Sequence, residues 1–417
     1  MFCTPRPTLE TSSEPSLRRP IADIDVPAGE PYKTRVLVRA PDAKHFNGTL
    51  VVEWTNVTAG QDIDFAFAEA YDYLTREGYA VAVVSAQKVG VDRLKTWGPE
   101  RYETLSVDAD NSNPKDSSKL DTCPGVPACP GDPLSWDIMT QVAAALKANT
   151  GDNKPLPGLT VDKVIALGES QSAMRLTVYY NAIQPLARFF DGFVFFDLAG
   201  PLRTDLAVPA ISVNSESTAE MYKATNSSDH VRTWAVAGAS HSSLYAASYV
   251  DNLVLRDKSL LGPDGPISFS QNLASLPCDF APNFSTVNHG LVLNAALDAV
   301  NKWVRTGEAA APSNVFDRTA SGVLARDADG RVVGGVRLAQ FTAPTAELKP
   351  NGKPVFCTLA GHHRNLTNEE LKARYGTHEN YVRQVSEAMT EAAKSGYILP
   401  FDRDQAIEEA QRSDIAR

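Results

Sequence analysis

The fold is decided by ten residues near the middle of the chain, VIALGESQSA, at positions 164–173. Four apolar, β-prone residues lead into a G-x-S-x-S turn, after which apolar residues recur at helical spacing. A strand, a sharp turn carrying a serine and a helix are typical of a nucleophile elbow. Gly168 and Ser172 are small, as the close approach of strand and helix requires. Ser170 is therefore the predicted nucleophile. Ser172, which falls inside the helix, is the weaker candidate, and a Ser170 that only caps the helix is the structural alternative.

Similar apolar runs alternate with helical segments on both sides of this stretch. Strands are predicted at 34–38, 49–54, 80–85, 164–167, 193–198, 210–214 and 233–237. Helices are predicted at 65–76, 136–148, 171–183, 291–305, 378–395 and 403–412. Most of the strands are continuously hydrophobic, as strands covered on both faces are. The pattern indicates an α/β protein with a mostly parallel central sheet and helices on both faces.

The organisation predicted from this pattern is an N-terminal extension at 1–30 and one domain at 31–417. Two stretches interrupt the alternation, at about 87–132 and 242–288, and we interpret them as lid-like insertions or as irregular surface packing. A C-terminal appendage begins at about 307. Within it, Asp329-Gly330 between two β-prone runs indicates a hairpin.

Charge and hydropathy exclude several classes of partner. Forty Lys and Arg against 50 Asp and Glu give a net charge of −10, which argues against a nucleic-acid partner. The sequence contains no run of 18 apolar residues, so no membrane span is predicted. The first residues, MFCTPRPTLE, lack the apolar region of a signal peptide. The sequence does not indicate an oligomeric state.

The five cysteines point to disulfides rather than to a metal. They contain no C-x-x-C pair and no spacing typical of zinc sites, so no metal is expected. We expect Cys123 to pair with Cys129 across a Pro-rich loop and Cys278 with Cys357, which leaves Cys3 unpaired. Reduced, buried thiols are the alternative. The expected bridges favour a secreted or periplasmic protein over a cytoplasmic one.

A serine nucleophile requires a histidine base, and in this type of fold the order is serine, acid, histidine. His241 is the predicted base because it lies in the loop that leaves the strand 233–237. His289, which directly precedes a helix, is the competitor. For the acid we favour Glu216, which follows the strand 210–214, with Asp205 and Asp229 as fallbacks.

The oxyanion hole of this elbow uses the amide after the nucleophile and an amide from the loop after an earlier strand. The first of these is Gln171. The second comes from the loop after the strand 49–54, where Asn56 and Val57 are both candidates.

Motifs for other chemistry are absent from the sequence. There is no G-x-G-x-x-G and no P-loop for a nucleotide cofactor, and the approach to H-E-x-x-H at His378 ends in Val382. No cofactor is therefore expected. A binding protein built on an inactive fold stays as the non-enzymatic alternative.

Several runs resemble a known family, the bacterial alpha/beta hydrolase domain-containing proteins. The runs are VVEWTNV at 51–57, VSAQKVGV at 84–91, RY at 101–102, GESQS at 168–172, WAVAGASH at 234–241, ALDAVNKWV at 296–304 and GGVRL at 334–338. The resemblance implies an α/β-hydrolase fold and a Ser-acid-His hydrolase, which here maps onto Ser170, Glu216 and His241. It names no substrate. A small-molecule carboxylic ester or lactone is the expected substrate, with amide cleavage and acyl transfer as neighbouring reactions of the same acyl-enzyme.

Overall fold

The computed structural model describes residues 31–108, 132–150, 154–197, 199–221, 227–275, 277–280, 283–353 and 357–417. Within these residues, no helix combines the length and apolar character needed to cross a bilayer.

Seven strands form the central sheet. They are β1 (Val36–Arg39), β2 (Thr49–Trp54), β3 (Ala80–Val84), β4 (Lys163–Glu169), β5 (Gly192–Phe196), β6 (Ala210–Ser215) and β7 (Val231–Val236). The order across the sheet is β1-β3-β2-β4-β5-β6-β7. Only β1 runs antiparallel to its neighbour. All carboxyl ends of the parallel strands therefore meet at one edge, where sites of open α/β sheets form.

Helices cover both faces of the sheet. In the first half of the described chain they are α1 (Phe65–Arg76), α2 (Lys88–Trp97), α3 (Pro99–Tyr102), α4 (Ser135–Ala148), α5 (Gln171–Val178), a π-helical turn (Tyr179–Ile183), α6 (Gln184–Ala187) and α7 (Glu216–Met221). In the second half they are α8 (Leu244–Asp257), α9 (Phe269–Ala274), α10 (Gly290–Thr306), α11 (Ala339–Thr342), α12 (Cys357–Ala360), α13 (Asn368–Tyr375), α14 (His378–Lys394) and α15 (Pro400–Arg412). The remaining strands form two short hairpins, β8 (Leu261–Gly262) with β9 (Gly265–Pro266), and β10 (Ala346–Lys349) with β11 (His362–Asn365).

Strand alternation divides the core into two layers. In β4, Ile165 and Leu167 face the layer of α1, α10 and α14, whereas Val164 and Ala166 face the layer of α4 and α5. Both layers are buried, which explains why these strands read as unbroken apolar runs. The predicted α/β architecture with helices on both faces is confirmed.

The two interrupting stretches contain more regular structure than their composition suggested. The first begins with α2 and α3, and the second contains α8, the β8–β9 hairpin and α9. Helix α8 packs on α1, where the rings of Tyr71 and Tyr249 stack at 4.9 Å. The buried face of α8 consists of Ala246, Ala247, Val250 and Val254, whereas Leu244 and Leu255 are exposed, so the apolar periodicity of this helix is weak. Residues 109–131 of the first stretch lie outside the described residues.

The segment after Gly307 packs into the main core. Val336 donates its amide to Ala235 and accepts from Ala237, so the chain runs beside the edge strand β7. Val385 and Met389 of α14 belong to the same buried cluster as the sheet residues. The hairpin predicted at Asp329-Gly330 is a tight turn, beside which Arg326 and Val332 pair in antiparallel fashion. The division of the chain into an extension and one domain stays a prediction.

Candidate active site

Ser170 lies in the sharp turn between β4 and α5. Its backbone has φ +55° and ψ −120°, a conformation that residues other than glycine rarely adopt. The Ser170 amide donates to the carbonyls of Phe196 and Asp197 at 2.9 and 2.7 Å, which holds the turn against the end of β5. A Cβ on Gly168 would lie 3.1 Å from the backbone of Ser172. The turn therefore has the strain and the crowding of a nucleophile elbow.

His241 meets Ser170 as the sequence predicted. The loop after β7 brings His241 Nε2 to 2.7 Å from Ser170 Oγ, and the two side chains are almost fully buried, at 5% and 8% exposed. Burial lowers the pKa of His241, and the nearby His289 lowers it further, whereas Asp197 acts in the opposite direction. A neutral imidazole at this distance can accept the serine proton.

The carboxylate closest to the other ring nitrogen is that of Glu169, the residue before the nucleophile. Its Oε1 lies 3.1 Å from His241 Nδ1, at an angle poorer than that of a good hydrogen bond. Its other oxygen accepts from Asn56 Nδ2 at 2.9 Å. Burial raises the pKa of Glu169 well above its usual range, and the charge of Asp197 adds to the shift.

Glu216 does not reach His241. Helix α7 begins at Glu216, and this turns the side chain toward Gly238, whose amide it accepts at 2.8 Å, and toward Arg326 at 2.9 Å. The expected contact between Glu216 and the base is therefore missing from the structure. The fallback Asp205 pairs with Arg203 at 2.7 Å.

The competitor His289 belongs to a second buried pair. Its Nε2 lies 3.0 Å from Asp197 Oδ2, and both side chains are 0% exposed. The sequence predicts a strand that continues to Leu198 and so includes Asp197, whereas β5 ends at Phe196 and leaves Asp197 at the carboxyl end of the strand. The available signal was an acidic residue at the end of an apolar run, the same signal that singled out Glu216.

The predicted oxyanion donors differ in how firmly their amides are already engaged. The Gln171 amide is at the first position of α5, where helical amides have no partner inside the helix. The Asn56 amide donates to the Ile63 carbonyl at 2.9 Å and is occupied. The Val57 amide donates a longer hydrogen bond, at 3.4 Å, to Gln171 Oε1 next to the nucleophile turn. Of the two loop amides, that of Val57 is the more weakly held.

The disulfide predicted between Cys278 and Cys357 is present and thus confirmed. It ties α12 to the segment before Ser285, and both parts contact the histidine loop: Ser242 donates to the Leu359 carbonyl at 2.8 Å, and Leu244 to that of Ser285 at 2.9 Å. Cys3, Cys123 and Cys129 lie outside the described residues. Among the described residues, no group of three or more His, Cys, Asp or Glu side chains could hold a metal ion.

A parallel sheet with a serine elbow and a histidine loop at its carboxyl edge defines the class of α/β hydrolases. The family model of the alpha/beta hydrolase domain matches residues 15–408, and the chain belongs to that family. The resemblance inferred from the sequence is thus confirmed. No curated protein sequence matches the chain. Among solved structures, a phospholipase/carboxylesterase from Dyadobacter fermentans DSM 18053 is similar at 14% identity, with a TM-score of 0.25, over 45% of this chain and 75% of that one. A likeness of that size carries no argument about substrate.

Proposed function

We propose that the protein is a serine hydrolase that cleaves a small carboxylic ester or lactone through an acyl-enzyme. The observation that carries the proposal is the 2.7 Å contact between Ser170 Oγ and His241 Nε2 at a strained elbow. Membership of a hydrolase family supports it.

In the proposed mechanism, His241 Nε2 takes the proton of Ser170 Oγ as the oxygen attacks the ester carbonyl. The negative charge that develops on the carbonyl oxygen is met by the amides of Gln171 and Val57. Such donors act in a site from which water is largely excluded, and removing one commonly costs about 3 kcal/mol of transition-state stabilisation. His241 then gives its proton to the leaving alcohol, and a water molecule cleaves the acyl-enzyme by the same steps.

Glu169 takes the role of the acid in this proposal, in place of Glu216. The triad acid fixes the tautomer of the base and stabilises the imidazolium that forms. The 3.1 Å separation from Nδ1 supports this role for Glu169, and its contact with Asn56 holds the carboxylate in place. Glu216 is already engaged by Gly238 and Arg326.

The test is a screen of p-nitrophenyl esters, lactones and aryl amides on the purified protein. We expect ester turnover that Ser170→Ala abolishes and that Ser321→Ala, the same change at an exposed serine, leaves intact. Turnover of amides alone would favour the amidase reaction of the same residues. A folded protein with no serine-dependent turnover and no reaction with serine-directed phosphonates would favour the binding-protein alternative.

A further inference from the structure

The proposed mechanism makes no use of the most deeply buried ionisable pair, His289 with Asp197. The carboxylate of Asp197 is held on one side by the amide of Ser215 at 2.6 Å and the hydroxyl of Thr218, and on the other by His289 Nε2 at 3.0 Å. The ring of His289 stacks on Phe196 at 4.7 Å. The pair is adjacent to the site because the Asp197 carbonyl accepts the amide of Ser170.

A second carboxylate faces the same histidine from α1. Glu69 accepts both the amide of Ser243 at 3.1 Å and its hydroxyl at 2.8 Å, and so it holds the loop that carries His241. A Cβ on Gly290, next to His289, would lie 3.0 Å from Glu69 Oε2. The second ring nitrogen of His289 is directed to the backbone of His241 without forming a good hydrogen bond.

Acidic side chains crowd this part of the core. Glu69, Asp197, Glu169 and Glu53 are all buried, and burial raises the pKa of Glu69, Glu169 and Glu53. Buried carboxylates this close raise each other's pKa unless a positive charge lies among them. Burial would lower the pKa of His289, but Glu69 and Asp197 outweigh burial and raise it. The pKa of Asp197 is lowered, since its contact with His289 outweighs its burial.

We propose that His289 is a protonated positioning residue, whose charge pairs with Asp197 and Glu69 and, together with burial, favours the neutral imidazole of His241. The proposal rests on the proposed function, because the neutral imidazole is what accepts the proton of Ser170. His289 touches no reacting atom. It acts through the two carboxylates that fix the elbow and the histidine loop, and through its charge.

The charge state is measured first, in the wild-type protein and without reference to activity. Nuclear magnetic resonance of isotope-labelled histidine side chains over pH 5.5–8.0 should show one buried imidazole protonated throughout. The double variant His289→Gln/Asp197→Asn, which replaces both partners by neutral amides, should lack that signal. A neutral His289 at pH 6–8 overturns the proposal, whether or not the protein proves to be a hydrolase.

The pH dependence of serine reactivity is measured second, as the rate of labelling by a serine-directed phosphonate. Without its cationic neighbour, His241 holds its proton more tightly, so His289→Gln should move the acid limb upward by about one pH unit. Asp197→Asn removes the carboxylate that raises the pKa of His241, so it should move the limb downward while Glu69 keeps His289 protonated, and the double variant should return close to the wild-type value.

Three outcomes separate the explanations. Opposite shifts in the two single variants support the proposal. An equal loss of reactivity at every pH, with no shift, would mean that the pair is only structural and would overturn it. Absence of labelling in the wild-type protein would instead refute the proposed function, while the resonance experiment would still decide the charge of His289. If His289→Gln fails to fold, the acid limb of Asp197→Asn is compared with that of the double variant. A lower limb in Asp197→Asn supports the proposal, and equal limbs overturn it.

Discussion

Glu169 ends β4 and Glu216 directly follows β6, so both lie at the same edge of the sheet and differ in their surroundings. Glu169 lies 3.1 Å from His241 Nδ1, whereas Glu216 binds Gly238 and Arg326. We predict that Glu169→Gln lowers kcat/KM on the order of a thousandfold or more, because an amide cannot stabilise the imidazolium.

Glu216→Gln is the matched control, since it makes the same change in a carboxylate that is equally buried. It should lower kcat/KM by less than about tenfold and reduce the free energy of unfolding by about 1–3 kcal/mol, because Arg326 and the Gly238 amide lose a charged acceptor. Steady-state kinetics and urea titration measure the two effects. If Glu216→Gln is inactive and Glu169→Gln is active, the triad acid is Glu216, as the sequence favoured, and not Glu169.

The pH dependence follows from the burial of His241. Its pKa lies below the ordinary value of 6.5, and the imidazole must be neutral to accept the serine proton. Activity should therefore rise with pH through a group that titrates below 6.5. Profiles of kcat/KM from pH 4.5 to 8.5 measure this, and an acid limb above 6.5 would contradict the buried environment of the base.

At the scale of elements, the elbow depends on the size of Gly168. An added Cβ would lie 3.1 Å from the carbonyl carbon and oxygen of Ser172, so α5 would have to move away from β4. We predict that Gly168→Ala lowers the free energy of unfolding by about 1–3 kcal/mol and lowers kcat more than KM changes. Unchanged kcat would show that the elbow tolerates displacement of α5.

The disulfide supports the histidine loop from two sides. The double variant Cys278→Ser/Cys357→Ser opens a bridge between positions 79 residues apart and frees α12, whose Leu359 carbonyl accepts the amide of Ser242. We predict that the free energy of unfolding falls by about 2–4 kcal/mol and that activity falls with it. Urea titration of the variant measures the change. The wild-type protein under reducing conditions should lose a similar amount of unfolding free energy. Equal stability of variant and oxidised wild type would contradict the prediction.

Elements with strong apolar periodicity were predictable from the sequence. The bounds of β2 and α1 agree with the structure residue for residue, since both are buried and end at clear turn signals. Helix α8 was missed because small alanines lie on its buried face while Leu244 and Leu255 are exposed, which weakens the apolar pattern. The helix predicted at 171–183 is interrupted by a π-helical turn, which local periodicity does not reveal.

The same limit applies to the site. Ser170 and His241 were predictable because each follows a recognisable strand. The contacts of Glu169, Glu216 and Asp197 were not, because they depend on how the backbone turns after each strand end. In particular, α7 begins at Glu216 without an intervening loop, and Asp197 has a φ of +44°. Spacing alone places all three at one edge and cannot rank them.

At the scale of the whole molecule, the C-terminal segment belongs to the core that positions the site. Val336 pairs with the edge strand β7, and Met389 packs among the sheet residues. We predict that deleting 308–417 abolishes cooperative unfolding, because one layer of the core loses its cover. Circular dichroism during thermal unfolding tests this against the full chain. A truncated chain that still unfolds in one sharp transition would show that the segment is dispensable.

The central claim is that Ser170 is a nucleophile activated by His241, and labelling with a serine-directed phosphonate tests it most directly. Intact-mass and peptide spectra of the wild-type protein should show one adduct, on Ser170. Ser170→Ala should show none, and Ser321→Ala should label like the wild type. A folded wild-type protein that stays unlabelled, or a Ser170→Ala variant that labels equally well, would contradict the claim.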